Sequence, residues 1–181
     1  FHSKGEFCGT CHDVSNPVYE RVNGARYAPG PLDAPATSFA SGVLLPLERT
    51  FSEWKYSAYP AGVYAPDFAG NAPGGIVSSC QDCHTRQVTG QGCNSPSAPV
   101  RNNLPLHDFT GGNTFMGSVV AALYPGETDA AALAAGSARA EATLQKAATL
   151  DLSLAAEGDS VRATVRVTNR TGHKLPTGYP E

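Results

Sequence analysis

The feature that most constrains this chain is a five-residue pattern, Cys-x-x-Cys-His, that occurs twice. It stands at Cys8-Gly9-Thr10-Cys11-His12 and again at Cys80-Gln81-Asp82-Cys83-His84. The pattern is the attachment signature of a c-type haem. Two thiols one turn apart can add to the two vinyl groups of one porphyrin. The histidine that follows then offers its imidazole as the proximal iron ligand. Cys8, Cys11, Cys80 and Cys83 are therefore the expected covalent anchors, and His12 and His84 the expected proximal ligands. Zinc knuckles normally sit about 15–20 residues apart, whereas 68 residues separate Cys11 from Cys80. A thioredoxin-type pair needs one motif beside a βαβ pattern, and no such pattern is apparent. Neither alternative requires a histidine after the second cysteine, twice.

Composition sets the expected fold. The chain has 19 glycines and 14 prolines in 181 residues, about 18%, against a usual share of roughly 12%. Much turn and loop is expected, with a thin conventional core to which porphyrin rings add apolar mass. The expected fold class is mainly α and irregular, a haem-packed core with little regular secondary structure, plus a C-terminal antiparallel β segment. The haem-free chain is expected to be largely unfolded, because a site that exists only in the folded state couples binding to folding.

Three regions are distinguished. Residues 1–127 form the haem-binding region with both motifs. Within it, Leu47, Phe51, Trp54 and Ala58 fall on one helical face after Pro46, with Trp54 expected in the core, and 117–124 reads as a short helix. Residues 128–149 form an Ala-rich packing helix with Thr128 as its N-cap. Residues 150–181 begin a β-sandwich-like segment. There Leu150, Leu152 and Leu154, then Val161, Ala163, Val165 and Val167, alternate with polar or small residues around Gly158-Asp159, as in a hairpin. The chain starts at Phe1 without an initiator Met and stops at Glu181 after a strand pattern, so it is expected to be a segment of a longer protein.

Axial ligands can be counted. Two six-coordinate irons need four, and the five histidines are His2, His12, His84, His107 and His173. His107 and His173 lie in Gly-rich surroundings and are the expected distal ligands, with His2 a third candidate close to Cys8. Met116, the only methionine, is expected to pack rather than ligate, which leaves bis-histidine, low-potential haems. Cys93 is the odd cysteine. A buried inert thiol is its ordinary reading, and intermolecular pairing or reactivity the sharper one.

Other functions find little footing. The formal charge of −3 and the lack of a basic stripe argue against nucleic acid and anionic lipid. The apolar run Val119–Leu123 is too short to span a membrane. Gly111-Gly112 lacks the features of a phosphate loop, and no Ser-His-acid spacing is present.

The residues resemble the multihaem c-type cytochromes of anaerobic and metal-respiring bacteria. The resemblance rests on Phe7–Val14 with Asn16-Pro17, on Glu48–Trp54, on Cys80–His84, on His107 with Gly111-Gly112-Asn113, and on Gly172-His173-Lys174-Leu175-Pro176-Thr177-Gly178. It implies closely packed haems along which electrons hop, with two haem c groups on this chain and His173 as an axial ligand. It also implies redox partner proteins, other cytochromes or copies of the chain itself, and, as in filament-forming relatives, a spare histidine (His2 or His173) ligating a haem of another chain. Because c-type haem is attached outside the bacterial cytoplasm, a periplasmic or cell-surface location is expected. The expected role is electron transfer rather than catalysis. A haem subunit resembling nitrite reductases or hydroxylamine oxidoreductases, with one open iron, is the alternative.

Overall fold

The structure is a computed structural model that describes residues 2–40, 42–70 and 72–177. Phe1, Gly178 and Glu181, named above, lie outside these residues. The chain divides into two compact units: Phe1–Ala58 with Gly172–Glu181, and Tyr59–Thr171. Each unit carries one Cys-x-x-Cys-His motif.

The first unit contains helix α1 (Gly5–Gly9), strands β1 (Ser15–Asn23), β2 (Arg26–Pro29) and β3 (Leu44–Pro46), and helix α2 (Thr50–Lys55). The strands form an antiparallel sheet in the order β2-β1-β3, with Tyr19 opposite Pro29 and Ser15 opposite Pro46. α2 begins later than the apolar spacing suggests. The amides of Leu47 and Glu48 instead donate to Val14 O at 3.0 and 3.1 Å, so this stretch ties back to the first motif before the helix starts. Trp54 is buried on α2. Its ring lies over Gly5, where an added Cβ would stand 2.5 Å from Cη2, and Phe51 covers Gly9 in the same way at 2.6 Å. Two positions without side chains, four residues apart, thus let α1 rest directly on aromatic rings.

The second unit begins with strand β4 (Val63–Tyr64), helix α3 (Pro66–Ala69), strand β5 (Ile76–Val77) and helix α4 (Cys80–His84). Strands β6 (Gln87–Gln91) and β7 (Val100–Pro105) follow, then helices α5 (Met116–Leu123) and α6 (Ala130–Ala147), and strands β8 (Ala148–Glu157) and β9 (Ser160–Asn169). Its buried side chains are Tyr59, Ala65, Ala69, Val77, Thr85 and Ala140. Asp129, rather than Thr128, caps α6: its Oδ1 accepts from the amides of Ala131 and Ala132, both at 3.0 Å. β8 and β9 pair in unbroken register from Ala148–Asn169 to Glu157–Ser160. Gly158 turns the ribbon at φ +60°, a conformation that costs glycine nothing. The register places Leu150, Leu152, Leu154, Val161, Val165 and Val167 on one face, and each stays 56–69% exposed.

The expected fold class is corrected by this architecture. About 30% of the described residues are helical and about 29% are in strands, in four small antiparallel sheets. The described residues are therefore neither mainly helical nor short of regular structure. The reason is positional. Pro29, Pro46 and Pro105 end strands and Pro66 opens a helix, so the breakers punctuate regular structure instead of replacing it. The short runs between them satisfy their backbone N–H and C=O groups by local antiparallel pairing.

Candidate haem sites

In the first motif the helical turn of α1 runs on through the histidine. The amides of Cys11 and His12 donate to Cys8 O at 3.1 and 2.9 Å. Residues three and four apart share a helical face, so Cys8, Cys11 and His12 project together. Cys11 is exposed and Cys8 half-buried. His12 Nδ1 lies 3.0 Å from Glu48 Oε1, and the same oxygen accepts from Thr50 Oγ1 at 2.9 Å. A carboxylate only accepts, so in the neutral ring Nδ1 carries the proton and Nε2 the lone pair.

The loop that delivers Glu48 is anchored on both sides. Phe51 N donates to His12 O at 2.8 Å. The Arg49 guanidinium donates to Val14 O and to Ser15 Oγ and lies 3.6 Å from Asp13 Oδ1, while Ser52 Oγ donates to Asp13 Oδ2. Arg49 Nη1 also donates to the Glu48 backbone carbonyl at 3.3 Å, and the ion pair of this guanidinium is with Asp13 rather than with the Glu48 carboxylate.

The second motif is built differently. Ser79 caps α4 with a capping box, and the partner is Asp82, one of the two residues between the cysteines. Asp82 Oδ2 accepts from the amides of Ser78 and Ser79, both at 2.9 Å. Buried Thr85 closes the other end, its Oγ1 donating to Gln81 O at 2.8 Å. Cys80, Cys83 and His84 again share a face. His84 Nδ1 donates to Thr110 O at 2.6 Å, and Thr110 N returns a bond to His84 O at 3.1 Å. The acceptor is now a neutral carbonyl, yet the ring reaches the same tautomer. Burial, and secondarily the Asp82 carboxylate, push the Cys83 thiol up to about 12 from its ordinary 9.0. A thiol held protonated is a poor nucleophile and a poor thiolate ligand.

The three distal candidates are divided between the units. His173 lies in the first unit, with Nδ1 3.9 Å from Glu53 Oε2. That carboxylate also accepts from Lys174 N and Thr177 Oγ1, so one α2 side chain gathers the Gly172–Thr177 segment. His2 belongs to the same unit, exposed and tilted against Phe7 at 5.2 Å between ring centroids. His107 belongs to the second unit. It is exposed and stacks on Phe109 at 5.5 Å. Its loop is tied down by Leu106 N to Arg86 O, by the His84–Thr110 pair, and by Asp108 Oδ2, which meets Arg86 and Arg139. Met116 opens α5. Cys93 is exposed in the loop between β6 and β7, which corrects its reading as a buried thiol.

These donor sets fit covalent haem. Metal-ligating histidines usually give their second ring N–H to a carboxylate or carbonyl, which fixes tautomer and orientation, and both motif histidines do so. Among the described residues no three His, Cys, Asp or Glu side chains are grouped as a metal cage. Glu48, Thr110 and Glu53 are the participants that motif reading missed. Glu48 and Thr110 come from 36 and 26 residues away, and nothing local marks them as partners of a histidine. No helix among the described residues is long and apolar enough to cross a membrane. In comparisons with protein-family models, curated proteins and solved structures, the chain matches none.

Proposed function

We propose that the chain is a multihaem c-type cytochrome that carries electrons, with one haem c bonded to each motif. The observation that carries this reading is the shared posture of His12 and His84. Two rings in different units, with unrelated neighbours, each commit Nδ1 to a fixed acceptor at 3.0 and 2.6 Å. Both therefore present Nε2 as the basic nitrogen, directly after a helical turn that carries two thiols on the same face.

In this reading each cysteine S–H adds across a porphyrin vinyl group: a carbon–sulfur bond forms and the hydrogen goes to the neighbouring carbon. Cys8 and Cys11 hold one haem, Cys80 and Cys83 the other. His12 and His84 are the proximal ligands. His173, in the unit of His12, and His107, in the unit of His84, serve as the distal ligands. His2 is then the spare ligand for a haem of another chain. Bound haem supplies the one-electron iron couple. Glu48 and Thr110 O hold the Nδ1 protons in place, so each ring keeps its tautomer whichever oxidation state is present and gains or loses no proton as an electron passes. Partners of this chemistry are redox proteins, other cytochromes or further copies of the chain, and the location is periplasmic or at the cell surface, where thioether attachment takes place.

The test is to export the chain in a bacterium with haem-attachment machinery. Covalent haem is counted by mass and by the pyridine haemochrome, and spectra are recorded with and without carbon monoxide. Two haems per chain, low-spin and unresponsive to carbon monoxide, are expected. Absence of covalent haem refutes the reading. A haem that binds carbon monoxide shifts the assignment to a catalytic oxidoreductase subunit with an open iron.

A further inference from the structure

We infer that Glu48 holds the reduction potential of the haem ligated by His12 below that of the haem ligated by His84. The inference rests on the haem reading above and adds a direction to it. The two motifs are alike in sequence, and their proximal rings adopt the same tautomer. What differs is the acceptor behind each ring: a carboxylate for His12, 3.0 Å away, and a neutral backbone carbonyl for His84, 2.6 Å away. A carboxylate draws the Nδ1 proton toward itself and leaves the ring more like an imidazolate. That ring donates more electron density through Nε2 and favours ferric over ferrous iron. The full negative charge behind the ring acts in the same direction.

The surroundings of Glu48 preserve this effect. Its side chain is only 19% exposed, so water screens it weakly. Thr50 Oγ1 fixes the oxygen that faces the ring. The Arg49 guanidinium donates to Val14 O, to Ser15 Oγ and to the Glu48 backbone carbonyl, and its ion pair is with Asp13 rather than with the Glu48 carboxylate. An electron given to either haem therefore rests by preference on the one held by His84. One iron is oxidised, the other reduced, and no proton moves.

The experiment is a spectroelectrochemical titration of the two-haem protein and of Glu48→Gln and Glu48→Asp. Glutamine keeps an acceptor oxygen and removes the charge. It is expected to favour the reduced form of one haem about tenfold, which is 59 mV for one electron. The lower of the two waves moves up, the upper wave stays, and haem content remains at two. Glu48→Asp, which keeps the charge, moves the lower wave less. Should Glu48→Gln fail to fold, NMR of the reduced, 15N-histidine-labelled original protein gives the same decision: one proximal Nδ1–H resonance lies well downfield of the other. Unmoved waves, equal movement of both, movement of the upper wave alone, or two equal Nδ1–H shifts overturn the inference while leaving the haem reading intact. An original protein without covalent haem overturns both.

Discussion

Replacing Gly5 by alanine sets two effects of opposite sign against each other. Alanine is the better helix former by about 1 kcal/mol in a helix interior, and less is gained at the first residue of the five-residue helix α1. Against this, the new Cβ would stand 2.5, 2.7 and 3.0 Å from three carbons of the Trp54 ring. Carbon atoms rest at about 3.5–4.0 Å, so α1 and the ring must part by roughly 1 Å. Trp54 is only 8% exposed, which leaves the indole little room to swing aside. Overpacking of this kind costs about 1–3 kcal/mol, and the clash is expected to win. Urea unfolding of the haem-loaded protein should show a net loss of about 1–2 kcal/mol relative to the original chain. Trp54→Phe, which shortens the ring, should make the two substitutions non-additive by at least about 0.5 kcal/mol in a double-mutant cycle. Gly5→Ala stability within about 0.5 kcal/mol of the original, together with additivity, would refute the argument that bare backbone at Gly5 is what seats the first motif.

Ser79→Ala removes the hydroxyl that caps α4 and should cost about 1 kcal/mol in the same urea assay, whereas Ser97→Ala, on an exposed loop, should change stability by less than about 0.5 kcal/mol. Tyr59 is buried, and that burial, with the neighbouring Cys83 as a secondary cause, raises its phenol above the ordinary 10.0. The folded state then holds this proton more tightly than the unfolded one. The stabilisation is fully present below pH 10 and falls as pH rises through the raised value. Unfolding midpoints taken from pH 9 upward should show this alkaline loss, and Tyr59→Phe should flatten it, with a loss at neutral pH of about 0.5–1.5 kcal/mol from the missing bond to Arg170 O.

What could be read from the sequence was local. The two Cys-x-x-Cys-His motifs stand within five residues each. The β8–β9 hairpin follows from strict alternation around Gly158-Asp159, and α6 from alanine propensity, although the cap moved by one residue to Asp129, whose carboxylate accepts from two amides while Thr128 Oγ1 donates back to Tyr124 O. The β1–β3 sheet was not legible. Ser15–Asn23 carries Pro17, adjacent Val18 and Tyr19, and no period of two. It pairs with Arg26–Pro29 across the short turn at Gly24-Ala25 and with Leu44–Pro46, some thirty residues on, and no local propensity signals the second pairing. The groups that aim the proximal rings were hidden for the same reason: Glu48 looks like any surface acid, and Thr110 contributes only its backbone oxygen. Cys93 could not be placed, since a single cysteine carries no pattern.

The capping box of α4 has a consequence for the order of assembly. The capping box that closes the second motif's turn lies within Ser78–Thr85, and Asp82, the carboxylate that completes it, lies between the two cysteines. That turn can present both thiols in register while distant parts of the chain are still unstructured. The first motif has no such internal cap. Its seat is the pair Phe51 and Trp54, and its histidine is aimed by Glu48, all about forty residues downstream. During synthesis Cys8 and Cys11 emerge first, yet their presentation waits on Phe51 and Trp54. On the haem reading proposed above, loss of the Phe51 or Trp54 ring, far from either cysteine, would therefore starve the first site of haem and leave the second one loaded.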